Sequence, residues 1–292
     1  MILTITGYST ALFSTWYFVE ELRLLLDAGD GIAPTLLQKS RKIDHIFLSH
    51  ADRDHVTGLL RLNELNAREG FPSVYYPTDA VSISALETFS KQFDGRVKKT
   101  VWHPMGDQQH IQLRKDLFVQ SARNNHVLNA QPHEVKSLGY QIYHTKNKLK
   151  SDFVDLSGEA LRQLAEKFGR ETLTDEVRTN LLAYSGDTPA ENFDQWNNTQ
   201  ILIHEATFLT RAEFSTLETN RNQHSTLEDV LAAVADLNIK TLILGHFSSR
   251  YSAEKIDEAI RRFCTAFHVT IPVHRLLPGQ THWDILRSDP IN

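Results

Sequence analysis

Short apolar runs alternate with segments of helical periodicity along most of the chain. The runs favour β-strands because they are brief, rich in β-branched and aromatic residues, and bounded by turn residues. They fall at residues 2–9, 21–29, 43–50 and 73–77, in a strand-rich stretch from about 100 to 145, and at 179–189, 199–208 and 239–251, where each run ends in polar residues. This alternation predicts a layered α/β fold.

Between and after these runs lie segments in which leucine, isoleucine and alanine recur at helical spacing. The predicted helices cover residues 55–67, 80–93, 156–169, 225–238 and 252–267. In the third of them Ser157 has the chemistry of an N-cap, and Gly169 is a typical helix stop. Because no internal repeat, low-complexity tract or long linker divides the sequence, we expect residues 1–292 to form one domain.

Side chains that bind metals follow several of the predicted strands directly. The polar residues at these strand ends are His50, Asp52, Asp54 and His55, then Asp187, then His204 and Glu205, then His246. Loops at the carboxyl ends of strands converge in layered α/β folds, and ligand sites gather there. A turn or N-cap role explains one aspartate, or two. It does not explain paired histidines or the repetition at successive strand ends.

This set of donors suits a pair of divalent metal ions. Two such ions about 3.5–4 Å apart acidify a water and stabilise both oxygens in a displacement. His50 and Asp52 project one way from an extended segment, while Asp54 and His55 begin a helix and can face a second ion. Asp187 has two oxygens with which to bridge. His246 and a histidine from residues 126–144 would complete the ligand set.

Composition narrows the class of protein and its surroundings. The chain has 292 residues, a net charge of −5, 14 histidines and one cysteine, Cys264. This charge neither indicates nor excludes a nucleic-acid partner. No apolar run approaches the roughly 20 residues of a membrane span. The N-terminus does not read as a secretory signal, and a lone cysteine forms no internal disulfide, so we expect a cytoplasmic protein.

Six motifs, taken in order, carry a resemblance to a known family. "LSHADRDHVTGL", "HEVKSLGY", "AYSGDTP", "LIHEATF", "QHSTLED" and "LILGHFSSRY" are similar to motifs of the metallo-β-lactamase superfamily and, within it, of the ribonuclease Z-like family. The first identifies only the superfamily, whereas the later ones together are more specific to ribonuclease Z-like phosphodiesterases. The resemblance implies an αββα metallo-β-lactamase-type sandwich with the metals at the edge between its two sheets.

The resemblance also implies a set of metal ligands. In the family, one ligand is a histidine that lies shortly before a Gly-Tyr pair, and this position selects His133 over His126. The alternative is that His133 is a surface histidine in a turn. Asp52 stands where the family usually has a second histidine, and we include it because related branches, the flavodiiron proteins and competence-type nucleases, have a carboxylate there. A turn aspartate is the alternative for Asp52. The predicted ligands are His50, Asp52, Asp54, His55, His133, Asp187 and His246.

Other residues receive chemical roles through the same resemblance. Glu205 and His224 are similar to the pair that protonates the leaving oxygen, because a Glu–His hydrogen bond raises the imidazole pKa. A purely structural pair that supports the ligands is the alternative. Asp54 would orient the attacking hydroxide. Arg250 either contacts a substrate phosphate or pairs with an acidic neighbour, and His204 is expected to be structural.

The resulting hypothesis is a metal-dependent phosphodiester hydrolase of the tRNA 3′-end endonuclease class. A hydroxide activated by two divalent ions, Zn²⁺ or Mn²⁺ with iron as an alternative, would attack phosphorus. The substrate is then a phosphodiester, with RNA and tRNA precursors as candidates, and the resemblance implies a homodimer. The alternatives are a phosphodiesterase for cyclic nucleotides or other non-tRNA diesters, or a thioester or lactam hydrolase on the same fold.

One departure bears on the substrate. Ribonuclease Z carries a protruding arm with a Gly-Pro pair that grips tRNA, whereas this chain has a charged helix and no such pair between Tyr140 and Asn180. A remote grip supplies binding energy that a bare active site lacks. We therefore expect weaker and less selective cleavage of tRNA precursors than an arm-bearing ribonuclease Z would show.

Overall fold

Two β-sheets packed face to face form the centre of the computed structural model, which describes residues 2–127, 131–215 and 222–292. In spatial order, the described strands of the first sheet are β14 (Thr281–His282), β1 (Ile5–Thr10), β2 (Ser14–Val19), β3 (Leu24–Leu26), β4 (His45–Phe47), β5 (Ser73–Pro77) and β6 (Val101–Met105). Those of the second are β13 (Val273–Arg275), β12 (Thr241–Gly245), β11 (Thr199–Glu205), β10 (Thr174–Tyr184), β9 (Leu138–Leu149), β8 (Leu117–Arg123) and β7 (His110–Arg114).

Helices cover the outer faces of both sheets. The described helices are α1 (Ile32–Leu36), α2 (Arg53–Val56), α3 (Leu59–Asn66), α4 (Val81–Phe93), α5 (Gly158–Phe168), α6 (Arg211–Ser215), α7 (Leu227–Val234) and α8 (Ala253–Ala266). Apolar residues of α1, α3 and α4 pack on the first sheet, and those of α7 and α8 pack on the second. A third cluster fills the space between the sheets. The predicted αββα sandwich is confirmed.

Strand direction brings the functional segments together. The strands β3 to β6 run parallel in one sheet, and β10 to β13 run parallel in the other. The carboxyl ends of parallel strands in a sheet share one edge, and the loops that leave β4, β10, β11 and β12 meet at one edge of the sandwich. The polar motifs that follow these runs in the sequence are therefore neighbours in space.

An arm projects from the second sheet. Residues 138–143 of β9 and 181–184 of β10 are buried, whereas the outer parts of both strands are half-buried or exposed. The helix α5, which connects these outer parts, buries none of its residues. Its predicted ends are present, since the Ser157 hydroxyl accepts a hydrogen bond from the amide of Ala160 and Gly169 ends the helix. We call residues 145–178 the arm.

Some elements were not visible in the apolar pattern. The strand β2 was not predicted, because all six of its residues are buried and the strand lacks the alternation that marks a half-buried strand. The short strands β13 and β14 also escaped notice. Among the described residues, no helix is long and apolar enough to cross a membrane.

Candidate metal centre

Donor side chains from both sheets meet at the edge where the parallel strands end. His50 and Asp52 follow β4, and Asp54 and His55 lie in the short helix α2. Asp187 follows β10 in the other sheet, and His246 follows β12 with a positive φ of 61°. That left-handed conformation is uncommon for a residue with a side chain. It marks a sharp change of chain direction directly after the strand.

Asp187 occupies the middle of this cluster. Its Oδ2 atom lies 3.1 Å from Nε2 of His246, 3.3 Å from Nε2 of His55 and 3.8 Å from Nε2 of His50. The carboxylate is buried, so few waters compete for its oxygens. One carboxylate thus faces three imidazoles that come from two different sheets.

The other donors divide into two sides around Asp187. On what we call the inner side, Nε2 of His246 lies 3.4 Å from both Nε2 of His55 and Oδ2 of Asp54. On the outer side, Oδ2 of Asp52 lies 3.6 Å from Nε2 of His50 and 3.5 Å from Nε2 of His126. The side chains of Asp54, His55 and His246 are at most 11% exposed, whereas that of Asp52 is 48% exposed.

His126, and not His133, joins the cluster. His126 is fully buried, whereas His133 lies on an exposed turn and belongs to no group of candidate ligands within the described residues. The choice of His133 from its distance to Gly-Tyr is therefore corrected. The physical reason is that His126 follows the end of β8, so it reaches the same edge of the sandwich as the other donors. The strand-end signal that found those donors also applies to "SARNNH".

The spacing of the donors fits metal ions. A tetrahedral ion with bonds of about 2.0–2.1 Å separates its ligand atoms by roughly 3.4 Å, and the separations on both sides are close to that value. Two imidazole Nε2 atoms at 3.4 Å, as in His55 and His246, are a poor hydrogen bond but a natural pair of ligands. The Nε2 atom of His50 is buried and has no hydrogen-bond partner within the described chain. A buried polar atom without a hydrogen-bond partner costs folding free energy unless an ion or a water binds it.

The far side of each cluster imidazole has its own partner. The Nδ1 atoms pair with a carboxylate, two hydroxyls and a backbone carbonyl. The pairs are His55 with Asp27 Oδ2 at 2.7 Å, His50 with Ser49 Oγ at 2.9 Å, His246 with Thr207 Oγ1 at 2.8 Å, and His126 with the carbonyl of Gln223 at 2.7 Å. Such partners orient metal-binding histidines and leave Nε2 for the ion.

The charges of the cluster stabilise one another. Burial alone would raise the pKa of Asp187, but the imidazoles of His246, His55 and His50 hold that pKa well below its usual value. Burial would likewise lower the pKa of His55, yet the carboxylates of Asp187 and Asp27 raise it well above 6.5. Against the cost of burial, His246 and His55 lower the pKa of Asp54 to about 2. The carboxylates are therefore ionised and available to a cation.

Glu205 and His224 form a hydrogen-bonded pair beside Asp187. The Nδ1 atom of His224 lies 2.9 Å from Oε1 of Glu205 and 3.8 Å from Oδ2 of Asp187. Burial lowers the pKa of His224, but the Glu205 carboxylate outweighs it and raises this pKa to about 9. Burial raises the pKa of Glu205, and the charge of His224 brings it below its usual value. The pair thus holds a proton on His224 at neutral pH.

The two remaining predicted positions, His204 and Arg250, belong to no group of candidate metal ligands among the described residues. His204 is buried, stacks on Phe193 with ring centroids 4.9 Å apart, and pairs through Nδ1 with the carbonyl of Glu205. Arg250 is exposed, and its Nε donates to Ser248 at 3.0 Å. In the parts of the chain that the structure describes, Arg250 forms no ion pair, which leaves its guanidinium available to an anion.

Comparison with known proteins agrees with this architecture. Residues 22–150 match the family model described as a beta-lactamase superfamily domain. The chain is 30% identical over 267 residues to the chloroplastic tRNase Z TRZ2 of Arabidopsis thaliana, covering 88% of this chain and 70% of that protein. The chain belongs to the ribonuclease Z family. A ribonuclease Z of Bacteroides fragilis is 28% identical over 288 residues, covering 87% and 91% of the two chains.

Solved structures of the same fold extend the comparison. The short form of human tRNase Z has a TM-score of 0.57 at 18% identity and covers 85% of this chain and 93% of its own. The metallo-beta-lactamase fold protein YhfI of Bacillus subtilis has a TM-score of 0.63 at 15% identity, covering 97% and 100%. Membership of the ribonuclease Z family makes the protein a metal-dependent hydrolase of the endoribonuclease type, and its clustered histidines and aspartates suit divalent metal ions.

Proposed function

We propose that the protein is a dinuclear metal-dependent endoribonuclease whose first candidate substrate is a tRNA precursor, cut at its 3′ trailer. The observation that carries this proposal is the Glu205–His224 pair beside Asp187, because cleavage of a phosphodiester needs a proton for the leaving oxygen. The names of the relatives, tRNase Z and ribonuclease Z, support RNA as the substrate class.

Seven side chains would hold the two ions. Asp54, His55 and His246 would hold the inner ion, His50, Asp52 and His126 would hold the outer ion, and Asp187 would be shared between them. When bound, two divalent ions supply an acidified water and a positive counter-charge for the phosphate oxygens. The chain contributes rigidity, since the Nδ1 partners hold every imidazole before any ion binds.

Proton movement falls to residues of the chain. Asp54, which accepts a hydrogen bond from the amide of Leu12 at 3.0 Å, orients the attacking water. His224 uses Nδ1 to bond Glu205 and therefore offers Nε2–H to the leaving oxygen. The Glu205 carboxylate is itself fixed by the amide of Thr188 at 2.9 Å and by Thr207. Arg250, which is exposed, would pair with a phosphate of the substrate.

The arm sets how strongly RNA is held. Residues 145–178 carry seven basic and seven acidic side chains, so the arm has no net charge. Affinity for the nucleic-acid backbone depends on net neutralisation of phosphates. We therefore keep the expectation that tRNA precursors are cleaved with less affinity and selectivity than by a ribonuclease Z with the Gly-Pro arm. In place of a Gly-Pro pair, the arm of this chain carries the charged helix α5.

A homodimer is part of the same proposal. The outward face of α4 presents Val81, Ala85, Phe89 and Phe93, four apolar residues at intervals of four, and all of them are exposed. An exposed apolar stripe of this kind is typical of a protein interface. A second copy of the chain is the partner we propose for it.

The test uses purified protein with Mn²⁺ or Zn²⁺ on bis-p-nitrophenyl phosphate and on a tRNA precursor. We expect turnover of the small diester and a cut at the 3′ trailer, with both lost in His55→Ala and His126→Ala. His133→Ala is the matched control and should keep wild-type rates, because His133 lies outside the cluster. No turnover with any divalent metal would overturn the proposal, and turnover of the diester without RNA cleavage would limit it to small substrates.

A further inference from the structure

Two buried hydroxyl groups each stand between a carboxylate and a cluster histidine. Ser49 Oγ lies 2.7 Å from Asp27 Oδ2 and 2.9 Å from His50 Nδ1. Thr207 Oγ1 lies 2.6 Å from Glu205 Oε2 and 2.8 Å from His246 Nδ1. Ser49 is 0% and Thr207 3% exposed. Water therefore has little access, and the two arrangements are closed sets of hydrogen bonds.

The direction of these hydrogen bonds follows from the number of protons. An ionised carboxylate only accepts, and a hydroxyl has a single proton to give. The hydroxyl must give that proton to the carboxylate at 2.6–2.7 Å. Its oxygen then has only lone pairs left for the imidazole. The Nδ1 atom must consequently carry the hydrogen, in both His50 and His246.

We propose that Ser49 and Thr207 are positioning residues that fix the tautomers of His50 and His246 with Nδ1 protonated. In the neutral form of each ring, the lone pair of Nε2 then faces the space between the two sides, where a cation would lie. The buried Nε2 of His50, which has no hydrogen-bond partner within the described residues, fits this assignment, since a lone pair there awaits a cation. The consequence for metal affinity rests on the proposed function, whereas the tautomers themselves do not.

A hydroxyl has an advantage over a direct carboxylate partner at these two positions. Of the four histidines that flank Asp187 as candidate ligands, His55 is the one whose Nδ1 bonds a carboxylate. This carboxylate, Asp27, is shared with Ser49 and Tyr184. Asp27 therefore serves two histidines, one directly and one through Ser49. The hydroxyl orients the second ring without adding another negative charge to a cluster that already contains three aspartates.

The two hydroxyls differ in what else they hold. The amide of Thr207 donates to Glu205 Oε2 at 3.1 Å. The hydroxyl oxygen Oγ1 of Thr207 lies 3.3 Å from Nδ1 of His224. Thr207 thus connects the proton-donating pair to the metal ligand His246. Ser49 forms no hydrogen bond with that pair among the described residues. Loss of the Thr207 hydroxyl should disturb metal binding and proton delivery together, whereas loss of the Ser49 hydroxyl should disturb metal binding alone.

The experiment measures the tautomers directly in the full chain. Long-range ¹H–¹⁵N correlation spectra of the metal-stripped protein, recorded at alkaline pH to obtain neutral rings with one N–H each, report which ring nitrogen carries the hydrogen, with His50 and His246 assigned by substitution. We expect the Nδ1–H form for both in the wild type and in Thr207→Ser, which keeps the hydroxyl. In Thr207→Val the His246 signal should move to the other tautomer or to a mixture, and in Ser49→Ala the His50 signal should do so.

Zinc affinity, measured by competition with a chelating dye, gives the second readout. Thr207→Val should lose about 10–100-fold in affinity, the effect usual for such supporting partners, and Thr207→Ser should stay near wild type. An Nε2–H form of His246 in the wild type, or unchanged tautomer and affinity in Thr207→Val, would overturn the inference. If Thr207→Val fails to fold, Ser49→Ala and the wild-type spectrum decide. Correct tautomers in a protein that binds no metal would overturn the proposed function and leave this assignment standing.

Discussion

The inner and outer sides of the cluster use similar donors but are built differently. On the inner side, His55 and His246 are backed by Asp27 and Thr207, and Asp54 is held by the amide of Leu12. On the outer side, His126 is backed by a backbone carbonyl, and Asp52 is half-exposed and accepts a hydrogen bond from Asn222. All three inner donors are enclosed by the body of the protein, whereas on the outer side His50 and His126 are buried and Asp52 reaches the solvent.

With the two ions proposed above, this difference would separate two tasks that a single metal site would have to combine. Buried donors with fixed partners hold a charge precisely, which favours the chemical step. A half-exposed carboxylate with weaker support can adjust its position and its metal partner. We therefore expect loss of an inner donor to abolish function, whereas substitution of the half-exposed Asp52 on the outer side should change metal preference.

The largest expected effect comes from Asp27. Its carboxylate accepts from the amide and hydroxyl of Ser49, from His55 and from Tyr184. Asp27→Asn replaces one accepting oxygen by a donor, so that a buried partner loses its acceptor. We expect metal affinity to fall by about 10–100-fold. Metal content and dye competition measure this loss. Asp52→Asn is the matched control on the outer side. An equal loss of metal affinity in Asp52→Asn would contradict the proposed difference between the inner and outer sides.

Glu205→Gln should reduce turnover of the small diester strongly while metal content stays near wild type. The raised pKa of His224, about 9, means that the protonated donor is present below that pH and is lost as the pH rises through it. Without the charge of Glu205 this pKa falls, so the alkaline limb of the pH–rate profile should move to lower pH. If metal is lost in parallel with activity, the pair is structural and not a proton donor.

A smaller effect is expected for Asp52→His on the outer side. Carboxylates suit harder ions such as Mn²⁺, and imidazoles suit Zn²⁺. We expect the wild type to work better with Mn²⁺ than with Zn²⁺ and to have an alkaline pH optimum. The variant should retain more zinc and work best at lower pH. Rates measured with both metals across a pH series test this, and identical profiles for the two proteins would make Asp52 a turn residue.

The smallest effect concerns an imidazole outside the cluster. His45 begins β4, five residues before His50, and its Nδ1 is buried without a partner in the described chain. Burial lowers its pKa to about 4. Below about pH 6.5, the usual pKa of an imidazole, His45 takes up a proton in the unfolded chain but not in the folded one. The free energy of unfolding therefore falls as the pH drops from 6.5 towards 4, by at most about 1.4 kcal/mol per pH unit.

Urea unfolding between pH 7 and pH 4.5 measures that slope. His45→Phe should flatten the curve, because the ring still packs against Tyr75 and Phe71 but no longer titrates. His268→Gln, at an exposed position, is the control and should leave the slope unchanged. An identical slope in His45→Phe and the wild type would show that other groups cause it.

The two sheets, their helices and the metal donors at the strand ends could all be predicted from the sequence. Each depends on a local pattern, an apolar run or a helical repeat, that can be seen along the chain. Asp187 and His246 could be found because each follows an apolar run directly. The choice between His126 and His133 depended on which one the turn before β9 carries into the body, and local spacing does not contain that information. Thr207 and Ser49 were not singled out either, since a hydroxyl gains its role only from the carboxylate and imidazole that the fold places on either side.

The arm is attached to the body through two strands, and its helix buries nothing. Few contacts therefore constrain its length, its charge or its sequence, while the cluster at the sheet edge depends on residues from both layers. In evolutionary terms, the arm and the metal cluster of this molecule are free to diverge at different rates. A descendant with a different arm would meet different RNA molecules with the same chemistry.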